Sequence, residues 1–180
     1  MRATGIVRRI DDLGRVVIPK ELRRTLRIRE GDPLEIFTER DGEVIFKKYS
    51  PLGELAEFAQ RICDAVQRNT GFLTAVCDRD TVLAAAGPER QAVVGRRLSQ
   101  GLIRRLEERE RWCPGGHGLP VALAEGSAAV TGAAAPILSG GELLGGILLG
   151  ADPERGRWPG GFESRLLDVV AAFLGRQMES

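Results

Sequence analysis

The sequence predicts an α+β protein in two parts: a small N-terminal domain of short strands around one short helix, joined by a helix to a larger α+β domain. Three observations carry this. Over the first fifty residues, short runs rich in Val and Ile alternate with turns bearing Gly and Asp. Pro51 then opens a stretch whose apolar residues recur at helical spacing. Beyond residue 70, apolar strand patterns come first and an amphipathic helix comes last. The chain has 180 residues, 43% hydrophobic and 28% charged, which is globular rather than disordered composition.

In chain order, Gly5–Ile10 and Arg15–Ile18 are strand candidates separated by Asp11-Asp12-Leu13-Gly14, a turn in which Gly14 is free to take positive φ. Pro19 ends the second strand and suits the first turn of a helix over Lys20 to Arg27. Gly31-Asp32-Pro33 is a further turn. Leu34–Thr38 and Glu43–Lys47 form a hairpin through Asp41-Gly42, the strongest short hairpin signal. About fifty residues without cysteine or histidine bury too little surface to stand alone comfortably. Pairing with a second copy is the expected remedy, and interleaved strands would also cover open edges.

The domain boundaries follow: 1–50, a linker helix over 51–69 that belongs partly to the next domain, and 70–180. In the linker Leu52, Leu55, Ala59, Ile62 and Val66 form a short seam suited to a connecting or dimer-forming helix. Phe72–Cys77 and Val82–Ala86 are strands around Asp78-Arg79-Asp80. A helix spans Ser99–Arg111. Trp112–Gly118 is a loop. Ala128–Leu138 and Leu143–Ala151 are long apolar strands turning at Ser139-Gly140-Gly141. The last helix, Gly161–Met178, carries Phe162, Leu166, Val169 and Phe173 on one stripe.

Charge divides the chain as sharply as pattern does. Residues 1–30 carry +5, and the remaining 150 carry −4. Within the first helix Lys20, Arg23, Arg24 and Arg27 fall within an arc of roughly 100°, with Leu22 and Leu26 opposite. Like charges at these spacings repel one another, and a surface shaped only for solubility mixes its signs. An anionic partner relieves that repulsion. Nucleic acid is the natural one. Because no aromatic residue lies in the first thirty positions to stack on bases, double-stranded DNA is the better fit. A merely solvated charged face is the alternative.

The run from Thr4 to Leu26, with Arg8-Arg9-Ile10-Asp11-Asp12-Leu13-Gly14-Arg15 and Ile18-Pro19-Lys20-Glu21-Leu22-Arg23-Arg24 at its heart, resembles the DNA-binding domain of the AbrB-type swapped-hairpin transcription factors. Gly31–Ile36 and Val44–Tyr49 continue the resemblance. It implies a homodimeric β-barrel of interleaved hairpins, with DNA-contacting arginines at Arg8, Arg15, Arg23 and Arg24. Lys20, Arg9 and Arg27 are further candidates from the helix argument. The resemblance also implies a GAF-like regulatory domain at the C-terminus whose helices pair two dimers into a tetramer. The implied role is activation and repression of sporulation genes in the cytoplasm, or in the forespore of a sporulating cell.

Other chemistry finds little support. The single histidine, His117, disfavours histidine-based catalysis, and Cys113 with His117 is half a zinc site at most. The odd count of three cysteines points to a reducing compartment. The glycine pairs at 140–141 and 145–146 lack the Lys-Ser/Thr of a phosphate-binding loop. The Asn-Lys, Phe and Asp-Glu pattern of cyclic-nucleotide-binding GAF domains is absent, so no cyclic nucleotide and no cofactor is predicted. A small-molecule effector of unknown identity stays open. No apolar run is long enough to cross a membrane, and Met1–Thr4 lead straight into patterned sequence, so neither a membrane partner nor a targeting peptide is expected. Two other functions remain: an antitoxin that binds DNA and a toxin, and a ligand-binding GAF protein whose DNA binding is secondary.

Overall fold

The computed structural model describes residues 5–109, 111–113 and 121–179. The chain divides into two compact units, Met1–Tyr49 and Ser50–Ser180.

In the first unit the helix α1 spans Lys20–Leu26, and the strands β1 (Leu34–Thr38) and β2 (Val44–Lys48) form an antiparallel hairpin with Thr38 opposite Val44. Gly42 takes the positive φ of 80° that the turn demands, and Glu39 N–H closes it on the Glu43 carbonyl at 3.0 Å. Pro19 stands at the N-cap of α1 with φ −56°. The helix stops one residue before the predicted end. Arg27 turns left-handed at φ 54°, while Ile28 N–H bonds the Arg23 carbonyl at 2.8 Å and Arg27 N–H that of Arg24 at 3.3 Å.

The strands predicted over Gly5–Ile10 and Arg15–Ile18 do not form ladders within one chain. Asp11 N–H bonds the Arg15 carbonyl at 3.0 Å and closes the turn between them. A strand needs a neighbour to bond, and β1 and β2 satisfy each other.

The second unit opens with α2 (Pro51–Glu54), capped by the Ser50 hydroxyl on Gly53 N–H, and α3 (Ala56–Thr70), ended by left-handed Gly71. Then come β3 (Thr74–Asp78), β4 (Val82–Ala86), α4 (Arg90–Val93), α5 (Gln100–Glu107), β5 (Val121–Ala122), β6 (Val130–Ser139), β7 (Glu142–Ala151) and α6 (Gly161–Gln177). The antiparallel sheet has the order β4-β3-β7-β6-β5. Alternate side chains serve two cores. Ala75, Cys77, Ala134 and Leu148 face Leu98, Leu102 and Leu106 on the α5 side. Val76, Ala133, Ala135, Ile147 and Leu149 face α3 and α6. The architecture is α+β, an antiparallel sheet between helical layers.

Three expectations change here. The linker seam does not stand free for pairing, because Leu52, Ala59 and Val66 are buried with Cys63 in the unit's own core. On α6 the buried face is Ser164, Leu167, Ala171, Leu174 and Gly175. The predicted stripe is largely outside: Phe162, Val169 and Phe173 are 64%, 67% and 44% exposed. The helix predicted to Arg111 ends at Glu107, and Trp112 instead bridges to Ala134 of β6.

The glycine pairs have structural duties. Gly140 and Gly141 supply positive φ for the β6–β7 turn. Gly145 lies against the Cys77 carbonyl, and a side chain at Gly146 would strike Leu106.

Candidate nucleic-acid interface

The basic residues singled out by sequence all lie in the first unit. Arg8 and Arg9 are exposed on the irregular segment before the first turn. Arg15 is exposed at the end of that turn, and its Nε lies 2.8 Å from the Asp11 carboxylate. Lys20 and Arg24 are exposed on α1, whereas Arg23 is half-buried with its Nε enclosed. Arg27 closes the helix and is half-buried. The helix therefore carries cations as its spacing predicts, but it presents them unequally. The opposite face is also less buried than predicted: Leu22 is half-buried and Leu26 is 52% exposed.

A small polar network fixes the end of this helix. Lys48 Nζ on β2 donates to the Arg27 carbonyl at 3.0 Å and lies 3.4 Å from Asp32. The nearly buried Asp32 carboxylate also accepts Arg29 N–H at 2.8 Å. It ties the α1–β1 loop to β2, which sequence reading passed over because Asp32 looked like ordinary turn punctuation.

The turn before the helix lies where the sequence places it, but the bonding of the Asp11 side chain inside it is a feature that spacing did not reveal. One carboxylate oxygen of Asp11 accepts Leu13 N–H at 3.0 Å and Arg15 N–H at 2.8 Å, and the second accepts Arg15 Nε–H. Those bonds to Arg15, first through its backbone and then through its side chain, hold the Asp11 carboxyl below the usual carboxylate range. The signal was present as an Asp four residues before an Arg across a glycine turn.

Among the described residues of the second unit, Arg105 pairs with Glu108, Arg111 with Asp168 and Arg155 with Asp152. An open cavity of about 430 Å³ beside α6 is lined by Arg109, Arg111, Asp168 and Arg176. Arg111 pairs with Asp168 at 2.6 Å, and Arg109 donates to the Gly141 carbonyl at 2.7 Å. Among the described residues no group of three His, Cys, Asp or Glu side chains could hold a metal ion. His117 and the glycines at 115, 116 and 118 lie outside the described residues. The Cys113 thiol rests 3.5 Å from the Pro159 carbonyl. Cys63 and Cys77 are buried in the core, and burial pushes the Cys63 thiol up to about 12 and raises that of Cys77 as well, the environment of structural rather than reactive cysteines. No helix among the described residues is long and apolar enough to cross a membrane.

Residues 54–179 match the family described as stage V sporulation protein T C-terminal, transcription factor. Stage V sporulation protein T of Bacillus subtilis (strain 168) is 44% identical over 184 residues, covering 99% of each chain. The chain belongs to the stage V sporulation protein T family. This is a family of transcription factors, and the relationship covers both units. Residues 7–53 also match the family described as antidote-toxin recognition MazE, bacterial antitoxin. The transition state regulatory protein AbrB of the same Bacillus strain is 63% identical over 51 residues, 28% of this chain and 52% of that protein. Among solved structures, the cofactor-binding GAF domain of the nutrient sensor CodY from Clostridium difficile is 14% identical with a TM-score of 0.47, covering 66% of this chain and 83% of that one.

Proposed function

We propose that this chain is a DNA-binding transcription regulator of sporulation genes, activating some and repressing others, and that it works as a homodimer through its N-terminal unit. The observation that carries this is the concentration of cations in the first thirty residues, +5 against −4 elsewhere, with Arg8, Arg9, Arg15, Lys20 and Arg24 exposed. Two-fold pairing doubles that set. Docking begins with phosphate neutralisation, and arginine forks then reach base edges. Arg8, Arg15, Arg23 and Arg24 carry the contacts, with Lys20, Arg9 and Arg27 in support.

The N-terminal unit itself favours pairing. Val7, Ile10, Leu13 and Val17 are each at least 69% exposed in one chain, which is costly unless a partner covers them. The C-terminal unit serves as a GAF-like regulatory domain that joins two dimers into a tetramer and answers to a small molecule. The protein acts in the cytoplasm, in the forespore during sporulation, and is not an enzyme.

A gel shift with promoter fragments upstream of sporulation genes tests the reading. Wild-type protein should retard them, and a variant lacking Arg8, Arg15 and Arg24 should not. Equal retardation by both would refute it. The antitoxin reading draws on the match of residues 7–53 to the MazE model. A toxin gene beside this one, and capture of its product, would favour that reading.

A further inference from the structure

We propose that Asp11 is a positioning residue for DNA recognition, holding the guanidinium of Arg15 by its Nε edge so that the two terminal nitrogens face outward as a fork. This deepens, and rests on, the reading of Arg15 as a DNA contact. The geometry is specific. Asp11 N–H bonds the Arg15 carbonyl at 3.0 Å, Gly14 N–H bonds the Asp11 carbonyl at 3.0 Å, and one Asp11 carboxylate oxygen takes both Leu13 N–H and Arg15 N–H. The second oxygen is thereby aimed at Arg15 Nε, 2.8 Å away. The Arg15 side chain is otherwise 69% exposed, and no described residue bonds its terminal nitrogens.

An exposed ion pair one helical turn apart in sequence does little for stability. A carboxylate beside a polyanion site also repels the phosphates it must approach. The arrangement gains sense if it orients. Guanine offers two acceptors, O6 and N7, in the plane of the base, and an arginine met end-on satisfies both. With Nε occupied by Asp11, only the end-on fork remains. A flexible arginine loses side-chain freedom on binding, and one already held loses less, an advantage of roughly three- to tenfold per side chain. The effect belongs to specific recognition, since phosphate attraction needs no fixed plane.

The two accounts of Asp11 predict opposite signs. The experiment measures binding of the full chain to two duplexes, one selected from a random pool by the wild-type protein and one scrambled. Asp11→Asn keeps a carbonyl oxygen for the turn but cannot accept Nε–H. It should weaken binding to the selected duplex roughly three- to tenfold, while binding to the scrambled duplex stays equal or tightens as a negative charge is lost. In an Arg15→Ala background Asp11→Asn should add nothing for the selected duplex. Arg15→Lys keeps the charge without the fork and should reproduce the Asp11→Asn pattern. If Asp11→Asn fails to fold, Asp11→Ser decides the question, since its single hydroxyl oxygen can serve the turn and leaves none for Nε. Tightening or no change on the selected duplex with Asp11→Asn, beside a damaging Arg15→Ala, overturns the positioning role alone. A silent Arg15→Ala overturns the reading of Arg15 and the positioning role with it.

Discussion

Arg24 and Arg23 are neighbours in sequence that the fold treats differently. Arg24 stands in solvent on α1, so Arg24→Ala removes a cation and little else. It should cost about 1–3 kcal/mol of binding if it reads a base edge, with the melting temperature unchanged. Arg23 is half-buried with an enclosed Nε, so Arg23→Ala also removes a packed stem. That variant should lose about 1 kcal/mol of stability in addition to its DNA affinity. Paired gel shifts and thermal melts separate the two. An Arg24→Ala protein that binds as well as wild type would remove Arg24 from the interface.

At the level of elements, α6 holds its place by small residues. A side chain on Gly175 would run into the Leu138 carbonyl of β6. Gly175→Ala should therefore destabilise the C-terminal unit by about 1–3 kcal/mol, read by chemical denaturation, because the helix must lift from the sheet. A variant as stable as wild type would show that the helix shifts freely. The same helix explains what the sequence could not reveal. It is apolar on two sides, Leu167 and Leu174 inward and Phe162, Val169 and Phe173 outward, and periodicity alone does not say which side meets the sheet. The deciding feature is close approach at Gly175, a matter of backbone distance. By contrast, Pro19, Asp41-Gly42 and Gly140-Gly141 mark their turns locally, so α1 and both hairpins were legible. The segments at residues 5–10 and 15–18 were not, since a ladder depends on a neighbour. α4 and β5 were missed because four and two residues are too short to show a period. Of the candidate interface, the cations were legible from their spacing, whereas the Asp11 bonds depend on how the turn closes.

Across the whole molecule, two exposed apolar surfaces bear on the proposed assembly. Val7, Ile10, Leu13 and Val17 expose the N-terminal unit, and Phe162, Val169 and Phe173 expose α6. If α6 joins dimers into tetramers, Val169→Glu with Phe173→Glu should leave dimers in sedimentation, and residues 1–54 alone should also form dimers. Persistent tetramers in either case would contradict that assignment. The proposed function requires that paired N-terminal units neutralise duplex DNA with their arginines. Equilibrium binding of the full chain to duplex DNA across a salt series is the measurement that decides it. With roughly eight phosphates neutralised per dimer, the log–log slope should be about −7, and Arg24→Ala should make it shallower by roughly one per side chain lost. No binding even in dilute buffer, or a slope near zero, would contradict it.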